Sequence, residues 1–257
     1  MRELEIFLER AETWAREAGE IQLSHFRRGG LGIETKANDY DVVTIADKES
    51  EAAILGHIRS EFPDHAILAE ESGASESPLS RWRWLVDPLD GTTNYSQGLP
   101  LFSVSIALEH DGEPVVGVVH APRLGETFTA IRGGGARLNG ETIHCSDKTS
   151  IRRAVLSTGM PVDRAENPDN NLDNISRVVN EIRGLRRLGS AAIDLCYVGA
   201  GFLDGYWELA LHRWDVAAGR LIAAEAGADI VDLRPDRRYS VMASAPGLTE
   251  QLKRLIH

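Results

Sequence analysis

From residue 3 to 26 apolar side chains recur every three or four positions, at Leu4, Phe7, Leu8, Ala11, Ala15, Ala18 and Ile21, with Glu and Arg between them. That spacing predicts a long amphipathic helix with its apolar stripe turned to a core. Gly29, Gly30 and Gly32 end it, and a polar stretch from Glu34 to Thr44 leads to a second helix over about Ile45–Phe62. Ala66–Ala69 reads as a short strand, and the Ser-, Gly- and Pro-rich residues 72–80 as a loop. Trp84-Leu85-Val86 is a continuous apolar run, expected to form a buried strand that breaks at Pro88, whose ring cannot continue a ladder. From Phe102 to Cys145 the alternation is that of antiparallel β, with Asp111-Gly112 and Asn139-Gly140 as hairpin turns. Gly133-Gly134-Gly135 lies among those hairpins with no Lys-Ser/Thr after it, so it reads as a turn and not a nucleotide loop.

The second half changes rhythm. Strands are expected at Ala154–Ser157 and Gly205–Leu209, and helices over 170–183, from Ser190 to about Gly199, and over Val216–Ala226 with Asp215 at its start. The chain is therefore expected to be one domain over 1–257 in two halves: an α+β half over 1–148 with an antiparallel sheet, and an α/β half over 149–257.

Composition narrows the partners. At 257 residues the chain can bury one large core, and 42% hydrophobic and 26% charged residues are ordinary for a globular protein. A net charge of −11 argues against general nucleic-acid binding, which rewards Lys and Arg. Two cysteines, Cys145 and Cys196, cannot build a disulfide framework, and neither a signal-peptide core nor a membrane-length apolar run is present. The expectation is a cytoplasmic protein that does not enter a membrane.

The chemistry concentrates in Asp87-Pro88-Leu89-Asp90-Gly91-Thr92-Thr93-Asn94. Two carboxylates flank a turn at the C-terminal end of a buried strand, where open α/β sheets place ligands. Oxygen donors suit a hard cation such as Mg²⁺, and the free amides of a turn leading into a helix suit a phosphate. Taken alone, an Asp-Pro…Asp-Gly turn on the surface accounts for the same residues. Other candidates also have structural readings: Thr44-Ile45-Ala46-Asp47 fits a helix capping box, Asp215 a helix N-cap, Gly189-Ser190-Ala191 close packing, and Lys36 a solvated loop. Glu70-Glu71 at the end of the Ala66–Ala69 strand could be a solvated surface pair or a further source of metal ligands.

Asp87–Asn94 resembles the signature of the inositol monophosphatase family, and Trp214-Asp215-Val216-Ala217-Ala218-Gly219 resembles a second signature of that family, the matches running from Lys36 to Gly227. The resemblance implies a layered α-β-α-β-α sandwich, of the type shared with fructose-1,6-bisphosphatase, and a Mg²⁺-dependent, lithium-sensitive phosphatase. By the same resemblance Glu70, Asp87 and the Leu89 carbonyl hold one Mg²⁺, and Asp87, Asp90 and Asp215 a second, with room for a third, weaker ion near Glu70. Thr92 and Asp47 would activate water with help from Glu70, and Glu71 would support Glu70. Gly91 and Thr92 would hold phosphate oxygens, and Gly189, Ala191 and Glu208 the alcohol. Lys36 would lie on a flap above them. No covalent phosphoenzyme is expected, and most members are homodimers.

Glu208 and the compact Gly189-Ser190-Ala191 favour a small phosphorylated polyol, inositol monophosphate first. Histidinol phosphate, fructose 1,6-bisphosphate and 3′-phosphoadenosine 5′-phosphate are rivals within the family. A regulatory protein that binds the transcription machinery is the rival of another class. A chain that only bound partners would have no physical need for four mutually repelling carboxylates together with Thr92 and Asp47.

Overall fold

A computed structural model describes residues 2–35, 42–75, 80–234, 236 and 238–256. Among the described residues the strands form a two-stranded ribbon, an eight-stranded sheet and a five-stranded sheet. The ribbon pairs β1 (Glu34–Thr35) with β2 (Val42–Val43).

The eight-stranded sheet draws on residues 66–142. It comprises β3 (Ala66–Ala69), β4 (Gly73–Ser75), β5 (Trp82–Asp90), β6 (Ser103–His110), β7 (Glu113–Ala121), β8 (Glu126–Ile131), β9 (Gly135–Leu138) and β10 (Glu141–Thr142). Their order is β10-β9-β8-β7-β6-β5-β3-β4, and only β3 and β5 run parallel. At both predicted hairpins, Asp111-Gly112 and Asn139-Gly140, both central residues have positive φ, the type I′ geometry that matches strand twist.

Strand β5 is apolar without alternation because both its faces are covered. Trp84 and Val86 face α1 (Arg2–His25) and α2 (Ile45–Glu61), in a core that includes Phe7, Trp14, Ile54 and Ile58. Leu85, between them, faces α5 (Ala191–Gly199) and α6 (Arg213–Glu225) through Ala192, Cys196, Ala218 and Ile222. The small side chains of α6 let it lie close on the sheet: a Cβ at Gly117 of β7 would stand 2.9 Å from the Ala218 carbonyl oxygen.

On the far side of α5 and α6 lies the five-stranded sheet of β11 (Val155–Thr158), β12 (Gly184–Arg186), β13 (Gly205–Leu211), β14 (Asp229–Asp232) and β15 (Tyr239–Ser244), in the order β12-β11-β13-β15-β14. Leu195, Val198 and Val216 pack on Tyr206, Val241 and Ala243 of its inner face. Its outer face, with Leu156, Trp207 and Met242, is covered by α4 (Leu172–Val178) and α7 (Thr249–Lys253). The layers are thus α-β-α-β-α, as the resemblance implied.

Three local expectations need correction. Strand β5 does not end at Pro88 but continues to Asp90 through a register shift against β6. The stretch read as a loop over 72–80 begins with β4, which pairs with β3. The helix expected over 170–183 is only Leu172–Val178; the chain then turns into the edge strand β12. No described helix is long and apolar enough to cross a membrane.

Candidate active site

The site forms where the end of the first sheet meets the starts of α5 and α6. Register delivers two of its carboxylates. Strands β3 and β5 run parallel with Ala69 opposite Val86, and the Glu70 N–H donates to the Val86 carbonyl at 3.1 Å. Glu70 therefore emerges beside Asp87. Against β6, Asp87 pairs with Ser105 and Asp90 with Ser103, so three steps on β5 oppose two on its partner. In a regular strand, residues an odd number apart face opposite sides. The extra residue, at a proline that has no N–H to lose, brings Asp87 and Asp90 to the same cavity. The bulge is pinned by Gln22 Nε2, which donates to the Pro88 carbonyl at 2.6 Å, and by the Leu89 N–H, which donates to Asp87 Oδ1 at 3.0 Å.

Gly91 then turns the chain into α3 (Thr92–Ser96). Its φ of 94° is left-handed, and a Cβ would stand 3.0 Å from the Leu101 and 3.1 Å from the Gly189 carbonyl oxygens. Both conformation and space require glycine there. The first residue of α3, Thr92, has its hydroxyl 3.1 Å from Asp47 Oδ1 and 3.0 Å from the Leu89 carbonyl. Asp47 is fully buried at N3 of α2, where its other oxygen accepts from the Thr44 N–H and hydroxyl at 2.9 and 2.6 Å. The capping box and the contact with Thr92 are thus one arrangement: the cap fixes the carboxylate that holds the threonine.

Asp90 Oδ2 accepts from the Ser190 hydroxyl and the Ala192 N–H at 2.6 and 2.7 Å, joining β5 to the start of α5, where Ser190 is the N-cap. Asp215 is not the N-cap of its helix. Helix α6 starts at Arg213 with His212 as cap, and Asp215 sits in the first turn, accepting the His212 N–H at 2.7 Å. The helix begins three residues earlier than expected, and its first residue, Arg213, is anchored by side-chain hydrogen bonds to Glu109 at 2.6 Å and to the Gly112 carbonyl at 2.6 Å.

Glu70, Asp87, Leu89, Asp90, Gly91, Thr92, Gly189, Ala191, Glu208 and Asp215 line one cavity of about 140 Å³. Asp47 stands behind Thr92, and Lys36 lies outside the described residues. The sequence reading missed Arg187 and Leu211 in the same wall, and had Ser190 only as a helix cap and part of the Gly189-Ser190-Ala191 stretch. Arg183, Arg186 and Arg187 lie close together in the sequence, and only the fold decides that Arg187 reaches the cavity. A second cavity of about 330 Å³ adjoins the first, sharing Glu70, Glu208, Leu211 and Asp215 and continuing over Met160, Pro161 and Trp214.

Electrostatics give this cavity its character. Burial pushes the Asp87 carboxyl well above its usual range, and Glu70, Asp90 and Asp215 raise it further. Asp215 is likewise raised well above, by burial and then by Glu70. Asp90 is raised to about 6 by burial, against the hydrogen bonds from Ser190 and Ala192. Asp47 is raised to about 6, mainly by burial, and Glu208 to about 7 by burial against the Tyr206 hydroxyl. A cluster that resists ionisation in this way is one that a cation would relieve.

The donors are all oxygens: four carboxylates and the Leu89 carbonyl, the set that suits a hard divalent cation such as Mg²⁺ and not zinc or copper. Among the described residues no three His, Cys, Asp or Glu side chains stand as a closed metal cage. Asp87, Asp90 and Asp215 each have one oxygen engaged by a backbone N–H. Donor chemistry and mutual repulsion both fit bound Mg²⁺.

Known proteins share this arrangement of chain. The family model described as "Inositol monophosphatase family" matches residues 3–256. The Nus factor SuhB of Pasteurella multocida is 42% identical over 244 residues, 93% of this chain and 91% of that protein. An inositol-1-monophosphatase of Mesorhizobium japonicum is also 42% identical, over 85% of this chain and 79% of its own. Among solved structures, the suhB protein of Bartonella henselae superimposes with a TM-score of 0.91 at 35% identity, covering 97% of this chain and 98% of its own. The inositol monophosphatase of Anabaena gives 0.87 at 37%, covering 98% and 96%. The chain belongs to the inositol monophosphatase family.

Proposed function

We propose that this protein is a Mg²⁺-dependent phosphomonoesterase acting on a small phosphorylated polyol, with inositol monophosphate as the first candidate. The observation that carries the reading is the convergence, on one cavity, of Glu70, Asp87, Asp90 and Asp215 with a Thr92 hydroxyl backed by buried Asp47. Glu70, Asp87 and the Leu89 carbonyl are assigned to one Mg²⁺, and Asp87, Asp90 and Asp215 to a second, with a third, weaker site beside Glu70. Bound there, Mg²⁺ would offset the carboxylate charge, acidify a water and stabilise the leaving oxygen.

The protein's own groups then have distinct tasks. Thr92 hydrogen-bonds to Asp47 Oδ1, so that as its oxygen takes a proton from the attacking water its own proton passes to the Asp47 carboxylate. Glu70 orients that water for in-line attack on phosphorus. The Gly91 and Thr92 amides hold phosphate oxygens. The Gly189–Ala191 backbone and the Glu208 carboxylate hold the alcohol. The resemblance also assigns Lys36 to the phosphate side. Neither cysteine lines the cavity: Cys196 is buried on the face of α5 that packs on the first sheet, and burial pushes its thiol well up. A cytoplasmic homodimer is the matching assembly.

The test is phosphate release from inositol 1-phosphate, fructose 1,6-bisphosphate, histidinol phosphate and 3′-phosphoadenosine 5′-phosphate, with Mg²⁺, with added Li⁺, and with EDTA. Preference for the inositol ester, abolished by EDTA, is the expected result. Release that persists undiminished in EDTA overturns the metal assignment, and preference for another ester reassigns the substrate. A second reading, a regulatory role through partner binding, is favoured by the relatives named Nus factor SuhB. A catalytically dead variant that still performs the cellular role would put it first.

A further inference from the structure

Glu208 reaches the cavity from β13, and the sheet register explains how it is aimed. Strands β11 and β13 run parallel with Ser157 opposite Tyr206 and Thr158 opposite Trp207, so the next residue, Gly159, follows beside Glu208. Tyr206 and Glu208, two apart, share one face of β13. Small residues of β11 thus stand beside large ones of β13. A Cβ built at Gly159 would overlap the Glu208 carboxylate, both oxygens included. Glu208 therefore occupies space that only glycine leaves open, and Gly159 has no left-handed φ that would otherwise demand one.

On its other side the carboxylate is held by one hydroxyl. Tyr206, 1% exposed, packs its ring among Leu195, Val241 and Ala243 and donates from Oη to Glu208 Oε2 at 2.7 Å. The ring cannot swing away, so the hydroxyl is a fixed donor. Oε2 is thereby engaged, and Oε1 is left to accept from a ligand in the cavity.

We propose that Tyr206 and Gly159 are positioning residues that set the enzyme's preference for phosphoesters bearing a hydroxyl group near the ester. Tyr206 fixes the direction of the Glu208 carboxylate, and the missing side chain at Gly159 gives it room. This rests on the phosphatase reading and deepens it: discrimination between a polyol phosphate and a plain phosphoester resides in this pair. Neither residue touches the phosphate or the carboxylates Glu70, Asp87, Asp90 and Asp215.

The test compares wild type, Tyr206→Phe and Gly159→Ala on inositol 1-phosphate and on p-nitrophenyl phosphate, which has no hydroxyl for Glu208, with Mg²⁺. Removing a hydrogen bond to a carboxylate is expected to raise KM for inositol 1-phosphate roughly tenfold in Tyr206→Phe, with kcat within about twofold. The aryl ester should keep its wild-type constants. Tyr206→Phe retains the packed ring, and Gly159→Ala displaces a flexible side chain and not backbone, so Gly159→Ala should give the same selective loss, at least as large, with cooperative unfolding retained. A ratio of the two substrates unchanged from wild type in both variants overturns the positioning role, as does an equal loss on both substrates. Wild type that releases phosphate from neither ester overturns the phosphatase reading itself.

Discussion

Replacing Asp90 by Asn should make the metal-free protein more stable while removing most of its activity. Asp90 Oδ2 accepts from the Ser190 hydroxyl and the Ala192 N–H, and an asparagine carbonyl can accept both. The substitution therefore changes charge while preserving the two hydrogen bonds. Its magnitude follows from titration: burial and neighbouring charge raise the Asp90 carboxyl from 3.8 to about 6. The folded state then binds that proton more tightly than the unfolded chain does. The stabilisation belonging to the protonated form is complete below about pH 4 and is lost as pH rises through about 6. At pH 7.5 the ionised group costs about 3 kcal/mol, taking ~1.4 kcal/mol for each tenfold change in proton affinity.

Spread over the unfolding entropy of 257 residues, that energy corresponds to a rise in Tm of about 5 °C. The assay is thermal unfolding of wild type and Asp90→Asn in EDTA at pH 7.5 and pH 4.5, then at pH 7.5 with Mg²⁺. Asp90→Asn should melt higher at pH 7.5, with the difference shrinking to about a third at pH 4.5, and Mg²⁺ should raise the wild type more than the variant. A variant that melts lower than wild type in EDTA at pH 7.5 would refute the electrostatic account. So would a difference independent of pH. Near-wild-type turnover by the variant at saturating Mg²⁺ would remove Asp90 from the metal site.

Three further expectations follow from the same geometry. Thr92→Val, which keeps the shape but not the hydroxyl facing Asp47, should lower kcat by roughly a hundredfold or more, with the Mg²⁺ dependence of Tm unchanged; Thr92→Ser should recover much of the rate. Gly91→Ala forces a side chain into a left-handed residue 3.0 Å from a carbonyl oxygen, so chemical denaturation should show a loss of about 1–3 kcal/mol, with activity falling alongside. Ile54→Ala empties part of the core between α2 and the first sheet; a loss of about 2–5 kcal/mol with unchanged KM would separate that core from the site.

Much of the fold was legible because local physics dominates in particular elements. The stripe of α1 and both Gly-containing hairpins follow from periodicity and from positive φ, and the structure has them where the sequence places them. Strand β5 was legible as buried because Trp84, Leu85 and Val86 are all apolar, which requires cover on both faces. Its continuation past Pro88 was not legible. Proline does end a regular ladder, and only the bulge, supported by Gln22 from a helix 66 residues away, lets the strand resume at Asp90. The start of α6 was misplaced for a similar reason: Arg213 is fixed by Glu109, 104 residues away, and no local signal announces it. Arg187 and Tyr206 were invisible as site residues because one is brought to the cavity only by the fold and the other is defined by the register of a parallel pair.

These misses share a cause that bears on how the site works. Glu70, Asp90 and Asp215 stand at the end of β3, the end of β5 and the first turn of α6, each at a point where an element stops or starts. Carboxylates that repel one another cannot be brought together by their own attraction, so the layers on either side of α5 and α6 must hold them. The Ala217-Ala218-Gly219 part of the second motif serves that end: a Cβ at Gly219 would stand 2.8 Å from Leu195 of α5, so the small residue lets the two helices close. The motif thus contains one residue proposed as a metal ligand and several small ones that let the two helices approach. Enlarging Gly219 should therefore move Asp215 as well as loosen the core, lowering Mg²⁺ affinity together with stability, whereas Ile54→Ala lowers stability alone.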